Sequence, residues 1–237
     1  MKLLVLAGGF GTRLNSLLRD TPKAMAPIGE TPFLQLQIEN WISQGVNSFV
    51  FLLHYRPDQI TDFLGKIKTE LLKNCDVIGL VEPSPMDTGG AVAYAVRELG
   101  LEGDFLVANS DTWLSTGIRE LTEAQSPAIA VVQVGSTSRY GQVKFNDNYM
   151  VTAFVEKNGL GVSGWINAGL CRLQAELFNN WDGSRFSLEN HTFPELVMGH
   201  KLHAVAITPD FIDIGIPEDY MRFCSWIKQG RMGSLCN

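Results

Sequence analysis

Leu3-Leu-Val-Leu-Ala-Gly-Gly-Phe-Gly-Thr-Arg-Leu14, with Thr21-Pro-Lys-Ala-Met-Ala-Pro-Ile28 close behind it, is the stretch on which the reading of this chain turns. The apolar run Leu3 to Ala7 has the length of a buried strand, and it stops at Gly8, Gly9 and Gly11. Glycines at such a point let the backbone approach a ligand and take positive φ without a Cβ clash. Their N–H groups, with a helix N-terminus behind them, suit a phosphate. Arg13 and Lys23 bring two cations to the same neighbourhood. The economical reading is a loop, from Leu6 and Ala7 through Gly8, Gly9, Gly11, Thr12 and Arg13, that holds a nucleoside triphosphate. It matches neither common glycine fingerprint. No Lys-Ser or Lys-Thr follows at P-loop distance, and the third glycine of a dinucleotide motif is replaced by Leu14.

Outward from the loop, strands and helices alternate. Helices are expected over Pro32–Gln44, Pro57–Leu72 and Thr88–Leu99, and strands over Ser48–Leu53, Val77–Val81 and Phe105–Ala108. That alternation predicts an α/β fold: a single Rossmann-like, mostly parallel sheet with helices on both faces. Ligands of such sheets sit at the carboxyl ends of strands. The glycine loop, the turn at Glu82 and the turn at Asp111 each begin where a strand ends. Beyond Asp111 the pattern changes to short strands at Ala128–Val134, Gly141–Phe145 and Met150–Val155, a hairpin-rich insertion. Trp165–Leu173 and Lys201–Thr208 add strands, and Glu218–Gln229 a last helix. One domain over 1–237 is expected, with residues 1–112 as its nucleotide-binding part and 113–237 as its second part.

Composition narrows the function. The chain has 237 residues, 45% of them hydrophobic, and a net charge of −6. Without a basic face, nucleic acid is not an expected partner. The apolar stretch before the glycines is too short for a signal peptide or a membrane span. Cys75, Cys171, Cys224 and Cys236 form no Cys-x-x-Cys pair, so a cytoplasmic chain with reduced thiols is expected. His200 and His203 stand beside no carboxylate cluster and read as ordinary surface or core residues.

Taken in order, Leu-Ala-Gly-Gly-x-Gly-Thr-Arg-Leu, Pro22-Lys23, Glu82-Pro-Ser-Pro-Met-Asp-Thr-Gly-Gly-Ala91, Asn109-Ser-Asp-Thr112, Phe154-Val-Glu-Lys157, Ile166-Asn-Ala-Gly169 and Phe211-Ile-Asp-Ile-Gly-Ile-Pro-Glu-Asp-Tyr220 resemble the sugar-1-phosphate nucleotidyltransferases over nearly the whole chain. The resemblance implies a glycosyltransferase-A-like fold whose insertion binds sugar. It also implies a reaction in which a sugar 1-phosphate attacks the α-phosphorus of a nucleoside triphosphate. Asp111 and Asp213 would hold Mg²⁺, while Arg13 and Lys23 would neutralise the triphosphate. On spacing alone, an Asp-Thr turn and a salt-bridged core Asp remain equally open. Lys157 would grip the sugar phosphate, with Glu156, Asn167 and the Gly141 backbone meeting the sugar. Glu156 and Lys157 point to opposite faces of a regular strand, so a bulge or strand end is required there.

Glu82, Thr88 and Gly89 would hold the base. A carboxylate only accepts hydrogen bonds, which suits the two donors on guanine's edge better than the single N3–H of uracil, although the base choice stays open. The short form and the Phe211–Tyr220 ending look most like the D-glycero-α-D-manno-heptose 1-phosphate guanylyltransferases of surface-polysaccharide synthesis. Mannose-1-phosphate guanylyltransferases and the short muramate-related uridylyltransferases are the alternatives, and a non-catalytic nucleotide-sugar regulator is the alternative of another class. The chain ends before any added C-terminal domain of the kind relatives carry. Trp181, Trp226 and the last helix are surfaces that a homodimer could use.

Overall fold

The computed structural model describes residues 1–11, 14, 18, 20–155 and 161–230; Thr12, Arg13, Glu156 and Lys157 lie outside the described residues. In chain order come β1 (Leu3–Leu6), β2 (Pro27–Ile28), β3 (Thr31–Pro32), α1 (Phe33–Ser43), β4 (Ser48–Leu53), α2 (Pro57–Ile67), β5 (Asp76–Val81), α3 (Asp87–Leu99) and β6 (Asp104–Asn109). Next are β7 (Thr112–Leu114), α4 (Ile118–Glu123), β8 (Ala128–Val134), β9 (Gln142–Phe145), β10 (Val151–Val155) and β11 (Gly164–Gln174). The chain then forms α5 (Phe193–Met198), β12 (His203–Ile207), β13 (Phe211–Asp213) and α6 (Pro217–Lys228).

These elements pack as two compact units. The first contains Lys2–Ser84, Asn109–Ser115 and the described residues from Asp210 onward; the second contains Pro85–Ala108 and Thr116–Pro209. The chain passes from one unit to the other repeatedly because β13 returns to pair antiparallel with β7, setting Asp213 opposite Thr112.

In the first unit β1, β4 and β5 run parallel, with Leu3 beside Phe49 and Phe49 beside Val77. Leu3, Leu4 and Val5 are fully buried, and Phe49 to Leu53 nearly so. Continuous burial explains why β1 and β4 read as unbroken apolar runs rather than alternating ones, whereas β5 is largely exposed. Helices α2 and α6 each begin with Pro at the first turn followed by acidic residues, and each ends with Lys, an arrangement that complements the backbone dipole. A core of Leu14, Ala26, Ile28, Phe33, Trp113, Ile212, Ile214 and Phe223 joins α1 and α6 to β7 and β13. The Phe223 ring meets Phe33 edge-on at 5.1 Å and tilts against Trp113 at 5.5 Å. Tyr220 ties α6 down by donating its hydroxyl to the Pro27 carbonyl.

The second unit supplies the expected hairpins. β9 and β10 pair antiparallel, β11 lies antiparallel to both β6 and β8, and β12 joins β8 in parallel. The pairing of β11 with β8 slips between Asn167 and Cys171, where Gly169 takes a φ of 73°. Arg172 of β11 donates to the carbonyls of Thr122 (2.6 Å) and Ala124 (2.7 Å) and pairs with Asp104, which fixes the end of α4 to the sheet. Trp181 lies under the Arg97 guanidinium at 4.6 Å and donates to Ser184 O, while Trp226 packs on the first unit's core.

Candidate active site

Two short strands aim the acidic residues. Ile212 and Ile214 are fully buried in the first unit's core. Asp213, between them on an extended segment, must therefore face the other way. Trp113 of β7 is 1% exposed, and Asp111 lies in the turn immediately before that strand. Ile214 N donates to Asp111 O at 2.9 Å, which locks the two acidic positions side by side.

Lys23 completes the cluster. Its Nζ lies 2.7 Å from Asp111 Oδ2, with both side chains largely shielded from solvent. A Cβ placed on Gly215 would stand 2.7 Å from Asp213 Oδ1 and 3.2 Å from Lys23 Nζ, so both groups border the space this glycine leaves. Gly215 N donates to Asp213 Oδ1 at 2.7 Å. Lys23 itself is placed by a turn of 3₁₀ helix, Lys23–Met25, entered through Pro22. On its other side Gly11, at a φ of 62°, comes so close that a Cβ there would lie 2.9 Å from Lys23 Cγ. The glycine loop, the cation and the two carboxylates are accordingly one assembly.

The remainder of the loop follows β1. Leu6 O accepts from Ser110 Oγ at 2.7 Å, and Ala7 N donates to Leu52 O at 2.9 Å. Gly8 sits where a Cβ would be 3.0 Å from Glu82 Oε1 and 3.1 Å from His54 Cβ; Gly9 is open. Glu82 is 8% exposed and anchored through its N–H to Leu53 O at 2.8 Å. A carboxylate in so confined a place is costly unless it is matched by donors, which is the property a base-reading group needs.

In the second unit the Asp87–Gly90 turn is the start of α3. Gly89 N and Gly90 N both donate to Phe186 O, at 2.9 and 3.0 Å, and the Phe186 ring occupies the space where a Gly89 Cβ would be. Thr88 Oγ1 donates to Glu189 Oε2 at 2.7 Å and accepts from Leu188 N at 2.9 Å. Thr88 and Gly89, expected to contact a base, also secure the 186–190 segment. Asn167, at the β11 slip, turns its Oδ1 to Gly169 N at 3.0 Å, and Gly141 approaches Val155 O.

The donor set fits a hard divalent cation that keeps most of its water. Asp111 and Asp213 supply two carboxylates, and among the described residues no group of three or more His, Cys, Asp and Glu gathers to form a protein cage. One or two carboxylates plus substrate phosphates is the usual Mg²⁺ arrangement. Residues absent from the sequence reading also enter: Gln37 of α1 bonds to the Asp111 turn, Asn40 to Leu114 O of β7, and Gly215 lies against Asp213. Polar residues on the buried stripe of an amphipathic helix were the available signal for the first two. Cys171 is buried, which pushes its thiol pKa up and leaves it inert. No helix among the described residues is long and apolar enough to cross a membrane.

The chain is 33% identical to D-glycero-alpha-D-manno-heptose 1-phosphate guanylyltransferase of Campylobacter jejuni, covering 94% of this chain and 98% of that one. It is 32% identical to the mannose-1-phosphate guanyltransferase of Aspergillus oryzae over 93% of its own length but only 62% of the relative's, so it spans about three fifths of that protein. Among solved structures, HddC from Yersinia pseudotuberculosis superposes with a TM-score of 0.83 at 33% identity, covering 95% of this chain and 99% of HddC. HddC has also been determined complexed with GMP-PN. The mostly parallel central sheet with its helices is the α/β fold these structures share. With the nucleotidyl transferase family model matching residues 2–229, the chain belongs to the nucleotidyl transferase family.

Proposed function

We propose that this chain transfers guanylate from GTP to a sugar 1-phosphate, D-glycero-α-D-manno-heptose 1-phosphate, and releases pyrophosphate. The observation that carries this reading is the meeting of Asp111, Lys23 and Asp213 beside the glycine loop. HddC complexed with GMP-PN supports a guanine nucleotide. The heptose assignment rests on the relative whose length this chain matches almost end to end.

The attacking oxygen belongs to a phosphate already ionised at neutral pH, so the reaction needs no general base. A new O–P bond forms at the α-phosphorus as the bond to the β-phosphate oxygen breaks, and pyrophosphate leaves with the electron pair. The protein must hold two polyanions together and disperse the developing charge. Asp111 and Asp213 would hold Mg²⁺, which supplies charge neutralisation at the phosphate oxygens. Lys23 and Arg13 extend that neutralisation along the triphosphate. Glu82 accepts from guanine N1–H and the 2-amino group, next to Gly8. Lys157 grips the sugar phosphate, and Glu156, Asn167 and Gly141 meet the sugar. We place the reaction in the cytoplasm, in keeping with free thiols at Cys75, Cys171 and Cys224.

The test is pyrophosphate release with Mg²⁺, crossing GTP, UTP, CTP, ATP and dTTP against heptose, mannose, glucose and N-acetylated sugar 1-phosphates. Release with GTP and the manno-heptose phosphate is expected. Preference for mannose 1-phosphate would move the sugar assignment. Failure of every pair, with GTP still bound, would reduce the protein to a nucleotide-binding regulator.

A further inference from the structure

Strand β7 pairs with β13 along one edge only. Its other edge meets side chains rather than a strand. Gln37 Nε2 of α1 donates to Thr112 O at 2.8 Å and to Asn109 O at 3.1 Å. One helical turn on, Asn40 Nδ2 donates to Leu114 O at 2.7 Å. Thr112 and Leu114 are two apart, so their carbonyls leave the strand on the same side, and two amides spaced i, i+3 on a helix reach them both. Gln37 is 1% exposed and Asn40 6%. A buried amide on the core face of a helix is expensive unless it is matched, and the Gln37 Oε1 atom has no partner among the described residues. Apolar side chains would pack there at less cost. The retained benefit is the grip on the turn.

The turn so held is 109–112, with Asp111 inside it. Gln37 bonds the carbonyl two residues before Asp111 and the one immediately after it. Ser110 Oγ fastens the intervening residue to Leu6 O, and Asp111 O accepts from Ile214 N. We infer that Gln37, assisted by Asn40, is a positioning residue for Asp111: it sets the metal affinity of the carboxylate pair and thereby turnover. This rests on the proposed role of Asp111 as a metal ligand.

The test compares Gln37→Met, which keeps length and removes both donors, with wild type and with Asn146→Ala. The control loses the Asn146 Oδ1 cap of the β9–β10 turn, remote in function from Asp111. Mn²⁺ binding is followed by electron spin resonance with GTP present and no sugar phosphate, so that no turnover occurs. Hydrogen exchange is followed over 109–115. Gln37→Met is expected to raise the Mn²⁺ dissociation constant at least tenfold and to speed exchange in 109–115. It should lower kcat at least tenfold while KM for the sugar phosphate stays within twofold. The control should lose thermal stability without these changes. Should Gln37→Met fail to fold, Gln37→Asn, which keeps the amide but shortens its reach, is expected to show the same effects in milder form.

Mn²⁺ affinity within twofold of wild type in the folded variant would overturn the inference and leave Gln37 a purely structural residue. Asp111→Asn separates the two readings. If it abolishes Mn²⁺ binding while Gln37→Met does not, only the inference falls. If wild type neither binds Mn²⁺ nor turns over, both fall.

Discussion

Replacing Gly215 by Ala probes the cluster with a single methyl group. The added Cβ would lie 2.7 Å from Asp213 Oδ1 and 3.2 Å from Lys23 Nζ, where ordinary contact begins at 3.4 Å. The carboxylate oxygen must therefore retreat by about 0.7 Å, the difference between 3.4 and 2.7 Å, and the ammonium by a few tenths. Gly215 is not among the residues with positive φ, so the backbone accepts alanine without strain and the effect is confined to the displaced groups. A misplacement of about 1 Å in a catalytic group costs roughly 10²-fold. We expect kcat to fall about 10- to 100-fold, on the scale of that relation, with a raised Mg²⁺ requirement. Asp213 can yield by rotating, so stability should drop by no more than about 1 kcal/mol, a melting shift of roughly 2–4 °C for a chain of this size. Pyrophosphate release across a Mg²⁺ series, read beside a thermal melt, distinguishes the two effects. Turnover within twofold of wild type at every Mg²⁺ concentration would refute the claim that Asp213 and Lys23 act from the positions seen here.

Other substitutions bear on separate parts of the argument. Lys23→Met removes the cation paired with Asp111 and should lower kcat by about 10²–10³-fold, as loss of a charge-stabilising donor does; steady-state pyrophosphate release reports it. Glu82→Gln exchanges an acceptor-only group for one that also donates. A selectivity for GTP over ATP reduced by about tenfold or more is expected, since a mismatched base-edge bond is worth about 1–3 kcal/mol, and competition between the two nucleotides measures it. Arg172→Met leaves the Thr122 and Ala124 carbonyls and Asp104 unmatched, and chemical denaturation should show a loss of about 3–5 kcal/mol. Phe223→Ala empties a fully buried site and should cost about 3–5 kcal/mol by the same measurement.

Most of the fold was legible because its signals are local. Ser48–Leu53 and Ala128–Val134 are strands over the very residues expected, since each is an apolar β-branched or aromatic run closed by polar residues. The helices at α1 and α6 differ from expectation by only a residue or so at their ends. Expectation for α2 ran to Leu72, but the helix stops at Ile67 and Leu72 N turns back to Ile67 O. The short pieces escaped. β7 and β13 have three residues each, too few for a period to register, and both exist because they pair with each other across about a hundred residues of chain. The segment after Asp210 carries no local mark of that pairing with β7.

The site divides along the same line. Lys23, Asp111 and Asp213 stood out through their motifs, and the structure brings them together. What holds them there was not visible as a motif. Ile212-Asp213-Ile214 looks like a carboxylate caught in an apolar strand, the costliest context for a charge. The structure resolves that cost: both isoleucines enter the core that Phe223 and Trp113 also fill, and the alternation of the strand directs Asp213 outward to Lys23. The apolar neighbours that seemed to argue against a functional Asp213 are the reason it is held in place. Gln37 and Asn40 reverse the relation, as polar groups on a helix's core stripe that serve the backbone of β7 in place of a strand. In both cases a residue that violates the pattern of its own element is placed by groups remote in sequence, and both cases meet at the β7–β13 ladder.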